Sequence, residues 1–374
     1  MTQHDPSGAT IPFDRDRTFF EYLGLADVER VHSQVLAWIL SADCRAYSEP
    51  SRCSLFHELF GFEPEGTVTV HTEFEHVDLV VETADRVVMV ENKLKTSQHS
   101  DQLNRYRAIG ETKFRGKHVD HYFLTLVAER AEAPWKILSY DRLHDALMTI
   151  PVGPDPHGYI VMDYIRSIGR LTAVVRHFAT HHQDYDRVFL DGSTSKAEKR
   201  QRDWSDPRMA FVANNQLETI LQKYHLKLLA DEIKARAYTV GETRGVAFLD
   251  IYVQRGLLYA GEKYFTALQF QGGTVKFQFV STRYARSSKE EVAGIVPYMR
   301  ALTEGSERYR NLNAGTSKAY LSVSGRLTDG PYWKLDKHKL AALMNNELLV
   351  ARSFTDQLLR EVPGLSVSTV GSVP

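Results

Sequence analysis

Three side chains in the stretch HVDLVVETADRVVMVENK, residues 76–93, have the types and spacing for hydrolysis at phosphorus: Asp78, Glu91 and Lys93. Successive side chains of a strand alternate between faces, so Glu91 and Lys93 share one face and Asn92 takes the other. If 76–83 and 86–93 pair as a hairpin about the polar turn at Ala84-Asp85, Asp78 approaches Glu91. Two carboxylates, a backbone carbonyl and waters suit a hard divalent cation, Mg²⁺ or Mn²⁺. Such a cation generates hydroxide and stabilises a pentavalent phosphorus transition state. A lysine beside it orients the attacking water or lends positive charge. The same three residues also describe a plain hairpin with charged ends. The run VVMVE argues for the site, because it is apolar on both faces, as in a central strand.

A helix read at 100–110 adds Gln102 and Tyr106, four apart and so on one face. An amide and a phenol would point toward the hairpin, although Leu103 and Tyr106 also fit a plain amphipathic helix. The order Asp, Glu-x-Lys, Gln-Leu-x-x-Tyr resembles the PD-(D/E)xK nuclease superfamily. It is most like the branch with lambda-type and recombination exonucleases, and like the bacterial proteins of that superfamily. The helix with Glu29-Arg30-Val31-His32-Ser33 and Leu36-Ala37-Trp38-Ile39-Leu40 resembles the opening helix of the bacterial group. The resemblance covers about 18–185; Val77 stands where a proline often precedes the aspartate.

The resemblance implies a restriction-endonuclease-like α/β core, with a mixed central sheet flanked by helices. It implies Asp78 and Glu91 as metal ligands, Lys93 as the catalytic lysine, and Gln102 and Tyr106 as catalytic support. Glu29 and His32, three apart on one helix face, would face the metal or a substrate phosphate. His32 reads equally as a core histidine. Glu73 and Glu75 fall opposite Asp78 by alternation and read as solvated.

The elements that must position these residues follow from periodicity. Helices are expected at about 18–23, 26–40, 53–60, 100–110, 143–148 and 159–180. Strands are expected at 67–74, 76–83, 86–93, 118–127 and 135–138. This gives a flexible leader at 1–17, a nuclease-like domain at 18–190 and a charged linker at 191–207 (DGSTSKAEKRQRDWSDP). An α+β accessory or recognition domain follows at 208–374. It is read as a helix at 208–236, four strands over 237–281, a helix at 288–303, a strand near 318–323 and a helix at 335–361. Asp250 is a lone acid in one of those strands.

The net charge of −1 means that a nucleic-acid surface must concentrate its cations locally. Between Arg86 and His121 bases outnumber acids. The candidate contacts are Lys95, Arg105, Lys113, Arg115 and Lys117, with Phe114 as an aromatic that could stack on a base. The Lys196–Arg202 run reads as solvated linker. Cys44 and Cys53 are too few for a disulfide framework or a zinc ribbon, which suits the cytoplasm. No apolar run reaches the roughly 18 residues of a membrane span. The expected activity is Mg²⁺- or Mn²⁺-dependent hydrolysis of nucleic acid, DNA favoured over RNA. Its setting would be anti-phage defence, with repair or recombination as the alternative. A catalytically silent binding module is the rival class. The second domain leaves room for a homo-oligomer or a regulatory protein partner.

Overall fold

The computed structural model describes residues 17–95, 102–127, 129, 131–189, 206–243 and 245–368. The leader at 1–16, most of the linker and the Lys196–Arg202 run lie outside the described residues. The chain divides into two compact units. One comprises Met1–Thr180 with Gln201–Leu221, the other His181–Arg200 with Gln222–Pro374. Contacts therefore group 181–189 with the second unit and 208–221 with the first.

The first unit opens with helices α1 (Phe19–Tyr22), α2 (Glu29–Leu40) and α3 (Glu49–Phe60). α3 starts four residues before the expected position. Ser48 accepts a hydrogen bond from the Ser51 amide, and Pro50 sits in the first turn, where its missing N–H costs nothing. Gly61, at φ 78°, ends the helix in the left-handed conformation that glycine tolerates. Strands β1 (Thr69–Phe74), β2 (Val77–Glu82) and β3 (Arg86–Lys93) follow, then α4 (Gln102–Lys113) and β4 (His118–Thr125). The unit continues with β5 (Lys136–Ser139), α5 (Tyr140–Thr149) and α6 (Pro156–His181). The sheet order is β1-β2-β3-β4-β5, antiparallel from β1 to β3 and parallel from β3 to β5. The parallel step needs a crossover, which α4 supplies. Val87, Val88, Met89 and Val90 are all buried, as a strand covered on both faces must be. α4 packs Leu103, Tyr106 and the following Phe114 with Met89, Phe123 and Trp135. α2 contacts β1, β2 and β3.

The expected helix at 208–236 is two helices, α7 (Pro207–Asn214) and α8 (Glu218–Glu232). Gln216 between them has a left-handed φ of 51°, which no helix continues through. The second unit contains β6 (Tyr238–Thr243), β7 (Val246–Tyr259), β8 (Glu262–Gln271) and β9 (Thr274–Ser281). These match the four strands expected over 237–281. Helix α9 (Val296–Glu304), strand β11 (Tyr320–Arg326) and helix α10 (Lys337–Glu361) follow. Two short strands were not foreseen, β10 (Asn311–Asn313) and β12 (Ser366–Val367); neither is long enough to show a period. The order is β10-β11-β9-β8-β7-β12, with β6 also on β7. α10 covers one face of this sheet: Phe354 packs on Phe277, and Thr355 hydrogen-bonds Thr266 at 3.0 Å. Among the described residues no helix is long and apolar enough to cross a membrane. Cys44 and Cys53 are free thiols.

Candidate active site

β2 and β3 form the expected hairpin. The register that pairs Leu79 with Val90 and Val80 with Met89 brings Asp78 level with Glu91. Asp78 Oδ2 accepts a hydrogen bond from the Asn92 amide at 2.7 Å. Glu91 is 1% exposed, and Lys93 Nζ lies 2.5 Å from its Oε1. Asp78, Glu91 and Lys93 therefore meet at the end of β3.

Electrostatics show what this convergence costs. Burial and then the Asp78 carboxyl raise Glu91 to about 8, despite Lys93 at its side. Burial likewise raises Asp78, opposed by the Asn92 amide and Lys93. Burial lowers Lys93, but the carboxylates of Glu91, Asp78 and Glu29 outweigh it and leave Lys93 raised. No N–H or hydroxyl donor reaches the buried Glu91 Oε2, and the Glu91 and Asp78 carboxyls lie within hydrogen-bonding reach of one another. An acceptor with no donor, beside a second carboxyl, is a site that a cation would satisfy. The donor set is all oxygen, which suits Mg²⁺ or Mn²⁺.

α4 holds the site from above the same face. Gln102 Nε2 donates to Glu91 Oε1 and to Tyr106 OH, both at 2.8 Å, and Tyr106 OH donates to the His76 carbonyl at 2.6 Å. Gln102 and Tyr106 thus reach Glu91 and the start of β2 through hydrogen bonds, and Tyr106 is also buried in the core.

The wider ligand set is not assembled. Among the described residues no three His, Cys, Asp or Glu gather where one metal ion could sit, so Glu29 and His32 do not join Asp78 and Glu91 in one cluster. His32 is 2% exposed, and both ring nitrogens are engaged, Nδ1 with Tyr164 OH and Nε2 with the Ala26 carbonyl. Burial depresses it to about 4, so it is a neutral core histidine with no lone pair offered to a metal. Glu29 Oε1 accepts from the Leu94 and Lys95 amides at 2.9 and 3.0 Å. It fixes the chain just after Lys93, and its charge is felt at Asp78 and Lys93.

The basic residues read as substrate contacts divide. Lys95 is paired with Asp27 at 2.6 Å, Lys113 with Glu75 at 2.6 Å and Lys117 with Glu82 at 2.8 Å. Arg105 and Arg115 are exposed. Phe114 is not available to stack on a base: it is a core residue, 5.6 Å from the Phe74 ring. Glu73 and Glu75 are exposed as expected, but a turn at Glu75-His76 breaks the alternation on which that reading rested.

Asn92 has a role that sequence reasoning missed. Its amide nitrogen donates to the Glu29 carbonyl at 2.9 Å and to Ser33 Oγ at 3.2 Å, and its oxygen accepts from Tyr140 OH at 2.9 Å. It ties α2 and α5 to the strand whose other face carries Glu91 and Lys93. Alternation did place Asn92 on that other face; nothing local signalled its partners, which lie 48 to 63 residues away.

Residues 18–177 match the family model of the PD-(D/E)XK nuclease superfamily. No curated protein and no solved structure gives a match.

Proposed function

We propose that the chain is a nuclease of the superfamily whose family model residues 18–177 match, hydrolysing phosphodiester bonds of nucleic acid, DNA before RNA, with a divalent cation, Mg²⁺ or Mn²⁺. The observation that carries this reading is the pairing of Glu91 with Lys93 at 2.5 Å while the buried Glu91 Oε2, reached by no N–H or hydroxyl donor, faces the Asp78 carboxyl. Asp78 and Glu91 would hold the cation, which polarises the phosphoryl oxygen and lowers the pKa of a bound water. Lys93 presents an ammonium where negative charge develops, and its raised pKa keeps it charged at neutral pH. Gln102 keeps Glu91 Oε1 on the Lys93 side, leaving Oε2 for the cation. Arg105 and Arg115, exposed on and after α4, are the cations nearest in sequence that remain for a phosphate backbone. Anti-phage defence is the setting we propose, resting on the family resemblance and on the coupling of this core to a further domain.

The test is an assay of the full chain on labelled single- and double-stranded DNA and RNA with Mg²⁺, Mn²⁺ or EDTA. The expected outcome is cleavage with either cation, none with EDTA and none by Asp78→Ala. Cleavage that survives EDTA or Asp78→Ala would remove the assignment.

A further inference from the structure

The approach to Asp78 is the most strained stretch of described backbone. Six described residues other than glycine have left-handed φ, and three of them are Glu73 (58°), Glu75 (51°) and His76 (71°). Glu75 and His76 are the two-residue loop between Phe74 and Val77, which pair across the hairpin. Positive φ at both loop positions is the requirement of a type I′ turn, and Asn-Gly is the pair that meets it with least strain. A glutamate and a histidine meet it at a cost that something else must offset. Two residues after His76 stands Asp78.

Two contacts hold the loop. Tyr106 OH donates to the His76 carbonyl at 2.6 Å, and Lys113 pairs with Glu75 at 2.6 Å. Both come from α4. The Lys113 pair is exposed and so screened, whereas Tyr106 is buried. Tyr106 OH is also the far end of a chain that begins at Glu91, because Gln102 Nε2 donates to both. One helix therefore reaches one carboxyl directly through Gln102 and the other through the strained loop.

We propose that Tyr106 is a positioning residue. Its hydroxyl clamps the Glu75-His76 loop in its strained form and thereby holds the Asp78 carboxyl beside Glu91, where the two would hold a divalent cation. The inference rests on the metal reading above. Unclamped, the loop relaxes, the start of β2 shifts, and the two carboxyls no longer present one cation site. Groups that orient ligands from behind have this kind of leverage on metal affinity.

Mn²⁺ affinity of the full chain, measured by calorimetry without nucleic acid, tests this, with cleavage as a second readout. Tyr106→Phe removes only the hydroxyl and is expected to bind Mn²⁺ about tenfold more weakly with its circular dichroism unchanged. Adding Glu75→Asn and His76→Gly to Tyr106→Phe should recover most of that loss, because the loop then holds itself. Lys113→Ala should weaken Mn²⁺ in the same direction by a smaller factor. Wild-type affinity in Tyr106→Phe, or no recovery on relaxing the loop, overturns the proposal. A wild-type chain that binds Mn²⁺ but cuts nothing ends the nuclease reading alone, and the clamp is then judged on affinity. A wild-type chain with no Mn²⁺ affinity overturns both.

Discussion

Each of the two sheets carries charged residues away from solvent, and they treat them in opposite ways. In the second unit Asp250, Gln269 and Lys276 stand side by side on β7, β8 and β9. Gln269 Nε2 donates to Asp250 at 2.9 Å, and Lys276 Nζ donates to Gln269 at 3.0 Å and Gln271 at 3.2 Å. Acid and base alternate with amides, and each charge has a neighbour of complementary polarity. In the first unit two acids converge on one another, and one oxygen, Glu91 Oε2, has no donor. Both groupings shift pKa values: Asp250 rises to about 6, mainly by burial, and Glu91 to about 8. A shifted carboxyl is therefore a weak sign of a site. Like charges brought together with an acceptor left over are a better one, because folding alone gains nothing from them.

Exchanging one residue in each sheet tests that contrast most sharply. Lys93→Ala should lower the cleavage rate by about 10²- to 10⁴-fold, the range for removing a group that acts on the transition state. Lys276→Ala should leave the rate within the error of the assay. A comparable loss in Lys276→Ala would break the comparison and bring the second unit into substrate recognition.

Proton linkage gives the next effect. Glu91 is raised, so below about pH 8 the metal-free site retains a proton on it. A cation needs the carboxylate, so binding displaces that proton. Mn²⁺ affinity should accordingly rise with pH, by up to about tenfold per unit below pH 8, and level off above it. Calorimetry in buffers of different ionisation enthalpy reads the released proton directly. An affinity flat from pH 6 to 8 would show that Glu91 is already ionised.

The candidate site was legible in the sequence where its geometry is local. Asp78, Glu91 and Lys93 depend on one hairpin, and alternation within it fixes which side chains share a face. Gln102 and Tyr106 depend on one turn of α4. The errors arose where distant chain decides. Periodicity places His32 and Glu29 on one face of α2, but only the position of α6 puts Tyr164 against His32. Phe114 follows α4 in a charged loop, and only the packing of Phe74 and Trp135 makes it core. The Glu75-His76 turn carries neither Asn nor Gly, so its left-handed residues had no composition signal.

The two faces of β3 differ in what a substitution should disturb. Asn92 is 1% exposed and serves three partners, of which Ser33 and Tyr140 are buried. Asn92→Ala leaves the buried Tyr140 hydroxyl without its acceptor, at about 1–3 kcal/mol for a buried group left unsatisfied, while the Glu29 carbonyl keeps Ser33 Oγ as a donor. Thermal unfolding should therefore drop by several degrees. Cleavage below the new melting temperature should persist, because Asp78 is held by the Asn92 backbone, which the substitution keeps. Loss of cleavage with the fold intact would instead make both faces of the strand part of the site.

Asp250→Asn should have the smallest effect, and its sign follows from the raised pKa. The folded value of about 6 lies above the ordinary aspartate value of 3.8. The contribution of Asp250 is thus fully present below about pH 4 and is lost as pH rises through 6. Above that, the wild-type chain holds a carboxylate that burial disfavours and that the Gln269 amide and Lys276 only partly compensate. Asparagine keeps an oxygen for Gln269 but cannot ionise. The variant should gain on the wild type between pH 4 and 7 by on the order of 1 kcal/mol, after discount for the solvent that reaches the group. Unfolding curves of both proteins across that range measure the difference. A gap that stays constant with pH would mean that Asp250 is ionised throughout, and the network of the second unit would then hold a true ion pair.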